Sequence, residues 1–142
     1  MKPTDCPFCK IVENPNEEAI VYQSDLLFAF MDVRQINPGE VLIIPRRHVE
    51  DISDLTEDEL IEIVKISRTI ESTVRKAFDA DGSMLYVLNG AVQHIHHLHI
   101  HIIPRYEGDK YTEKITKNRN YTCPIKDRKA YAKRIIQKLS RV

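Results

Sequence analysis

The chain has 142 residues, enough for one domain with a modest core and too few for two ordinary ones. Lys plus Arg and Asp plus Glu each total 21, so the formal net charge is zero. That balance gives no electrostatic footprint for nucleic acid or an anionic membrane, although a nucleotide-sized ligand needs only local charge.

CPFCKIVEN (6–14) opens with Cys-x-x-Cys and forms a short helical turn. The preceding residues lack the apolar core of a signal peptide, and no run further on is long enough to span a bilayer. Three cysteines also fit a reducing compartment better than a secreted disulfide framework. A cytoplasmic protein is therefore expected. AIVYQSD (19–25) and LLFAFMD (26–32) read as two strands that pair as a hairpin. INPGE (36–40) is a turn, with Pro38 and Gly39 supplying its backbone conformations, and VLIIP (41–45) is a third strand stopped by Pro45.

Thr56 followed by Glu59 is a capping box, with acids in the first turn. The helix it starts should run to about Phe78. Leu60, Ile63, Val64, Ile70, Val74 and Phe78 fall at three- and four-residue spacings. DADG (79–82) ends it, with Gly82 expected as the C-cap. SMLYVLNG (83–90) and HLHIHIIP (97–104) are a fourth and a fifth strand. The following tail, to about residue 126, is polar and reads as irregular. DRKAYAKRIIQKL (127–139) is a last helix with an apolar stripe at Tyr131, Ile135, Ile136 and Leu139. The sum is an α+β fold with a mainly antiparallel sheet of about five strands, one long helix and a C-terminal helix.

HIHHLHIHIIPR (94–105) holds five of the six histidines. Strand side chains alternate between faces, so His97, His99 and His101 share one face while Leu98, Ile100 and Ile102 enter the core. Three imidazoles in a row pack poorly and cost free energy to desolvate. Two chemistries suit them. One is metal binding. The other is nucleophilic attack on phosphorus, with neighbouring imidazoles bonding the phosphate oxygens and protonating a leaving group. Cys6 and Cys9 add two thiolates at metal spacing, and a Cys2His2 set would need two of the histidines.

HLHIHII (97–103) resembles the signature of the histidine-triad hydrolases, His-φ-His-φ-His-φ-φ with φ apolar, at every position. CPFCKIV, FAFMDVRQINPGEVLIIPRRHV and IIPR resemble further segments of that family, so the likeness covers roughly residues 5–106. The resemblance implies a single domain over 1–142, with residues from about 107 as an extension. It also implies a two-fold homodimer that binds a purine nucleotide in a cleft. His99 would be the nucleophile at the α-phosphorus. His101 would contact the phosphate and help protonate the leaving group, and His97 would support the site. Asp32 would bind the ribose hydroxyls, and Phe8, Ile11, Phe30 and Ile44 would line the base pocket. Gln93 and Asn89 would be polar contacts near the phosphates. The branch with Cys-x-x-Cys resembles galactose-1-phosphate uridylyltransferase in its zinc site. Carried over, that site gives Cys6, Cys9, His48 and His97 as ligands of one structural Zn2+. The transferase branch has Gln where this chain has His101, which favours hydrolysis of a phosphoramidate or a dinucleoside polyphosphate. The segment before the triad departs from the family pattern: Val92 stands where Gly is common and His94 where Ser or Thr is frequent. Two other readings remain open, a nucleotide-binding regulatory module with little activity and a metallohydrolase whose triad itself holds the metal.

Overall fold

The computed structural model describes residues 3–139. Five strands form one antiparallel sheet: β1 (Ile20–Gln23), β2 (Leu27–Met31), β3 (Val41–Pro45), β4 (Gly82–Val87) and β5 (Ile100–Arg105). Their order across the sheet is β1-β2-β3-β5-β4. Four α-helices accompany them among the described residues: α1 (Pro7–Glu13), α2 (Glu57–Ala77), α3 (Tyr111–Lys117) and α4 (Ile125–Leu139). The α+β fold with a five-stranded antiparallel sheet is the one expected from the sequence.

LFAFM and VLIIP are apolar without alternation because both faces of β2 and β3 are covered. Ala29, Met31, Val41 and Ile43 point to one side, where Ile63, Ile70 and Val74 of α2 and Ala132 and Ile135 of α4 pack on them. Phe28, Phe30, Leu42 and Ile44 point to the other, under Cys6 and Phe8 at the start of α1. The period-two alternation thus separates two apolar clusters instead of a core from solvent. Register carries this separation into β5. His101 lies opposite Leu42 on β3 and Tyr86 on β4, and Ile102 lies opposite Val41 and Leu85. His101 therefore shares the α1 side of the sheet, while Ile102 is fully buried against the long helix.

The capping box at Thr56 is formed as expected. Glu59 N donates to Thr56 Oγ1, and Thr56 N donates to the Glu59 carboxylate, which also receives Arg47 at 3.0 Å. The other end differs from expectation. Phe78 is the cap, and the chain reverses at Asp79, whose φ is +49°, with Ala80 N bonded to Arg75 O at 2.9 Å. Gly82 begins β4 instead. Asp is one of the few side chains that tolerate this left-handed region, so no glycine is needed there.

The tail is not wholly irregular. Asp109 takes bonds from Arg105, Tyr106 N and Tyr111 N, and this folded turn launches α3. Its pattern is hard to see in sequence because Tyr111 is the one buried residue of the helix. The last helix starts at Ile125, two residues before the expected Asp127, directly after Pro124.

Gly39 sits in the turn between β2 and β3 at φ +108°, and an added Cβ would lie 2.8 Å from the Phe78 ring. Both the backbone conformation and the packing exclude a side chain. Gly39→Ala is expected to lower unfolding free energy by about 2–4 kcal/mol in denaturant titration. A change below about 0.5 kcal/mol would show that the turn and Phe78 can both give way.

Candidate active site and metal centre

Two sites meet at the approach to β5. The first begins at the N-terminus of α1. Cys6 is the helix N-cap, with its Sγ accepting Cys9 N at 3.4 Å, and Pro7 occupies the first helical position. This turn brings both sulfurs to one side. His97 arrives from the other strand direction, fully buried. Its Nε2–H donates to the carbonyl of Pro45 at 2.8 Å, because a carbonyl can only accept. The tautomer is thereby fixed, and the Nδ1 lone pair faces Cys6 Sγ at 3.3 Å and Cys9 Sγ at 3.5 Å. His48, three residues beyond Pro45, sets its Nδ1 3.2 Å from Cys9 Sγ. Its Nε2 lies 3.5 Å from the Glu50 carboxylate, the type of outer partner that orients a ligand histidine.

All four donor atoms lie within 4.8 Å of one another, a set that could hold a metal ion. A tetrahedral ion bonded at about 2.3 Å to sulfur and about 2.0 Å to nitrogen needs donor separations of roughly 3.3–3.8 Å. The sulfur–nitrogen distances of 3.2–3.5 Å match that requirement. Burial and the neighbouring Cys6 push the Cys9 thiol up to about 11, and burial holds the His97 imidazole down at about 4. His97 is therefore already in the neutral form a metal needs, whereas the thiols would release protons on binding.

The second site is a cavity of about 1240 Å³ on the α1 side of the sheet. His99 lines it, and its Nδ1–H donates to the backbone carbonyl of His97 at 2.7 Å. Its Nε2 is left as a bare lone pair. Phe8 stands edge-on to the ring at 5.1 Å, and burial lowers the His99 pKa. His101 stacks on Tyr86 with centroids 4.1 Å apart and planes 10° from parallel. Burial, aided by His99, holds His101 down at about 3. Its Nδ1 is 3.8 Å from Asp32 Oδ2. Burial raises the Asp32 pKa, so both partners are shifted away from a charged pair. Glu40, also buried, is pushed up to about 7 by burial and by Asp32. It accepts Tyr111 Oη at 2.9 Å and the backbone N–H groups of Ile36 and Asn37.

Phe8, Ile11, Phe30, Asp32, His99 and His101 are brought together on the cavity wall. Four other expected residues lie elsewhere. Ile44 is fully buried in the apolar cluster behind the wall. Asn89 accepts Ile52 N at 2.8 Å, away from the cavity. Gln93 is turned inward, donating to Glu50 O and Leu88 O, so its amide braces the loop. His97 points its ring to the sulfurs, not into the cavity. His94 does line the cavity. Tyr86, Glu40 and Tyr111 line it too and were not singled out from sequence. Tyr86 is legible only through the β4–β5 register, and Tyr111 carries no local signal at all.

The sequence model of the HIT domain matches residues 13–108. An uncharacterized HIT-like protein of Methanocaldococcus jannaschii is 38% identical over 107 residues, 73% of this chain and 81% of the relative. An asymmetrical bis(5'-nucleosyl)-tetraphosphatase of Schizosaccharomyces pombe is 36% identical over 97 residues, 67% of this chain and 53% of the relative. A zinc-bound histidine-triad family protein of Mycobacterium smegmatis superposes with a TM-score of 0.81 over 99% of this chain and 96% of its own. At 24% identity that last likeness speaks for the fold alone.

The depressed His101 pKa fixes a sign for stability against pH. Unfolded imidazole titrates near about 6.5, so below that value the unfolded chain binds a proton the folded one refuses. Stability falls as pH drops through that window toward the folded value of about 3. Between about pH 7.5 and about pH 5, wild type should lose about 2 kcal/mol more than His101→Gln in urea unfolding. Parallel pH curves for the two proteins would show that this imidazole is not held neutral.

Proposed function

The chain belongs to the HIT domain family, and on that premise we propose that it is a hydrolase acting at the α-phosphorus of a purine nucleotide. The observation that carries the reading is the single bare nitrogen of His99. Its Nδ1–H is committed to the His97 carbonyl at 2.7 Å, which aims Nε2 at a nucleotide-sized cavity. Neutral imidazole is the nucleophilic form, and burial favours it. In the proposed reaction His99 Nε2 attacks the α-phosphorus, and the bond to the leaving group breaks. His101 contacts the phosphate and supplies the proton to the departing nitrogen or oxygen. Bound phosphate raises the proton affinity of this imidazole from its low resting value. Water then attacks the nucleotidyl-histidine, passing a proton to His101, and the P–N bond breaks to restore His99 and release the nucleoside monophosphate. Asp32 binds the ribose, because its two oxygens suit a vicinal diol. Phe8, Ile11 and Phe30 flank the base. Substrates of this type include a nucleoside phosphoramidate and a dinucleoside polyphosphate. The tetraphosphatase of fission yeast supports the second.

We assign the Cys6, Cys9, His48 and His97 set to structural Zn2+. Two soft sulfurs and two imidazoles leave no open position on a four-coordinate ion. Bound there, zinc supplies cross-linking between α1 and the approach to β5. A triad-bound catalytic metal is disfavoured, since the His97 ring points away from His99 toward the sulfurs. A homodimer and a cytoplasmic location complete the proposal. The outer edge of β4 is unpaired among the described residues, and Leu85 and Val64 lie 44% and 68% exposed on β4 and α2.

The test compares wild type with His99→Ala on adenosine phosphoramidate and diadenosine tetraphosphate, each with and without chelator. The expected result is turnover that survives brief chelation and falls by roughly three orders of magnitude or more in the mutant. Binding without turnover in wild type would favour the regulatory module. Immediate loss with chelator would favour a catalytic metal. Separately, Cys6→Ala should purify with little zinc and melt several degrees lower, on the order of 2–5 kcal/mol of lost stability. A full zinc complement with an unchanged melting point would remove Cys6 from the ligand set.

A further inference from the structure

The cleft is not closed by the HIT domain alone. The matched region ends at residue 108, yet Tyr111, Ile115 and Arg119 also line the cavity. The segment that carries them is fastened to the loop after Asp32. Tyr111 Oη donates to Glu40 at 2.9 Å, Lys114 Nζ to Asn37 Oδ1 at 3.1 Å, and Cys123 N to Val33 O at 2.7 Å. These bonds fix where the wall stands relative to the nucleotide. With the α-phosphorus at His99 and the ribose at Asp32, the base continues past Asp32, along the loop to which this wall is tied. Two apolar side chains on the cavity wall there remain solvent-exposed, Val33 at 42% and Ile115 at 36%. A purine flanked by Phe8, Ile11 and Phe30 that reached this wall would cover both. Arg119, in the turn that follows α3, lines the same cavity, and no protein hydrogen bond or ion pair occupies its side chain among the described residues.

We propose that the segment 111–119 is the base-reading wall of the cleft, and that Arg119 selects guanine over adenine. This inference rests on the nucleotide reading above and names its base. Guanidinium presents donors only. The O6/N7 edge of guanine presents two acceptors, whereas adenine sets its own N6 donor beside N7. Arg119 is therefore complementary to one purine and opposed by the other. Ile115 supplies the apolar contact that both purines share.

Calorimetric binding of GMP and AMP tests this without turnover, using wild type, Arg119→Gln and Ile115→Ser. Wild type should bind GMP about tenfold more tightly than AMP. Arg119→Gln, whose amide both donates and accepts, should bring that ratio near one, whereas Ile115→Ser should weaken both ligands and keep it. Equal affinity for the two purines in wild type would overturn the proposal. So would a ratio unchanged in Arg119→Gln, or an equal weakening of both ligands in that variant, which would mark Arg119 as a phosphate contact. Failure of GMP to bind would overturn it as well. GMP selectivity without turnover of any guanosine or adenosine phosphoramidate would sink the hydrolase reading and leave this one standing.

Discussion

The hydrogen bond from His97 Nε2 to the carbonyl of Pro45 is the constraint on which both sites depend. It spans 52 residues of chain and joins the end of β3 to the approach to β5. By occupying one ring nitrogen it turns the other toward two cysteine sulfurs. By holding the residue still it also fixes its backbone carbonyl, which then takes the Nδ1–H of His99. One histidine thus serves the metal cluster through its ring and the cleft through its main chain. Rotation of the His97 ring by half a turn would put a carbon in place of each nitrogen. The sulfurs would then face Cδ2–H, and Pro45 O would face Cε1–H.

The sheet makes this arrangement stiff. β2 and β3 are covered on both faces, so their register is set twice, once by the helices and once by the cluster under α1. A slip of one residue would place Phe28 and Phe30 under α2 and Ala29 and Met31 beneath the cleft. His101 inherits its position from Leu42 across this doubly determined pair of strands. Helix α1 can then be short, because its seven residues need only cap the aromatic cluster and present two sulfurs.

Much of the fold was legible because its signals are local. The capping box at Thr56 and Glu59, the three- and four-residue spacing of α2 and the apolar runs of β2 and β3 each follow from nearest-neighbour chemistry. So does the Cys-x-x-Cys turn. The division of labour within the triad was only partly legible. Alternation puts the three imidazoles on one face, but the chain is not yet a strand at His97 and His99, since β5 begins at Ile100. The ring directions there follow from bonds to Pro45 and to the His97 carbonyl, which no spacing encodes. Gln93 and Asn89 show the same limit: both are polar residues before the triad whose amides are spent on backbone groups, at Glu50 and Leu88 for Gln93 and at Ile52 for Asn89. Helix α3 was missed because one buried tyrosine gives no periodicity, and its placement depends on Glu40, 71 residues away.

The stacking of Tyr86 on His101 has a further consequence, for how the protein can be observed. The chain has no Trp and six Tyr, so tyrosine dominates its near-ultraviolet absorption and fluorescence. Two of the six face the cleft: Tyr86 lies flat on an imidazole, and Tyr111 donates a hydrogen bond from its hydroxyl to a buried carboxyl. A ligand that protonates His101 places a cation against the Tyr86 ring. A ligand that shifts the Asp32 loop alters the hydrogen bond at Tyr111. Occupancy of the cleft is thereby written into the protein's own chromophores, and no attached label is needed to read it.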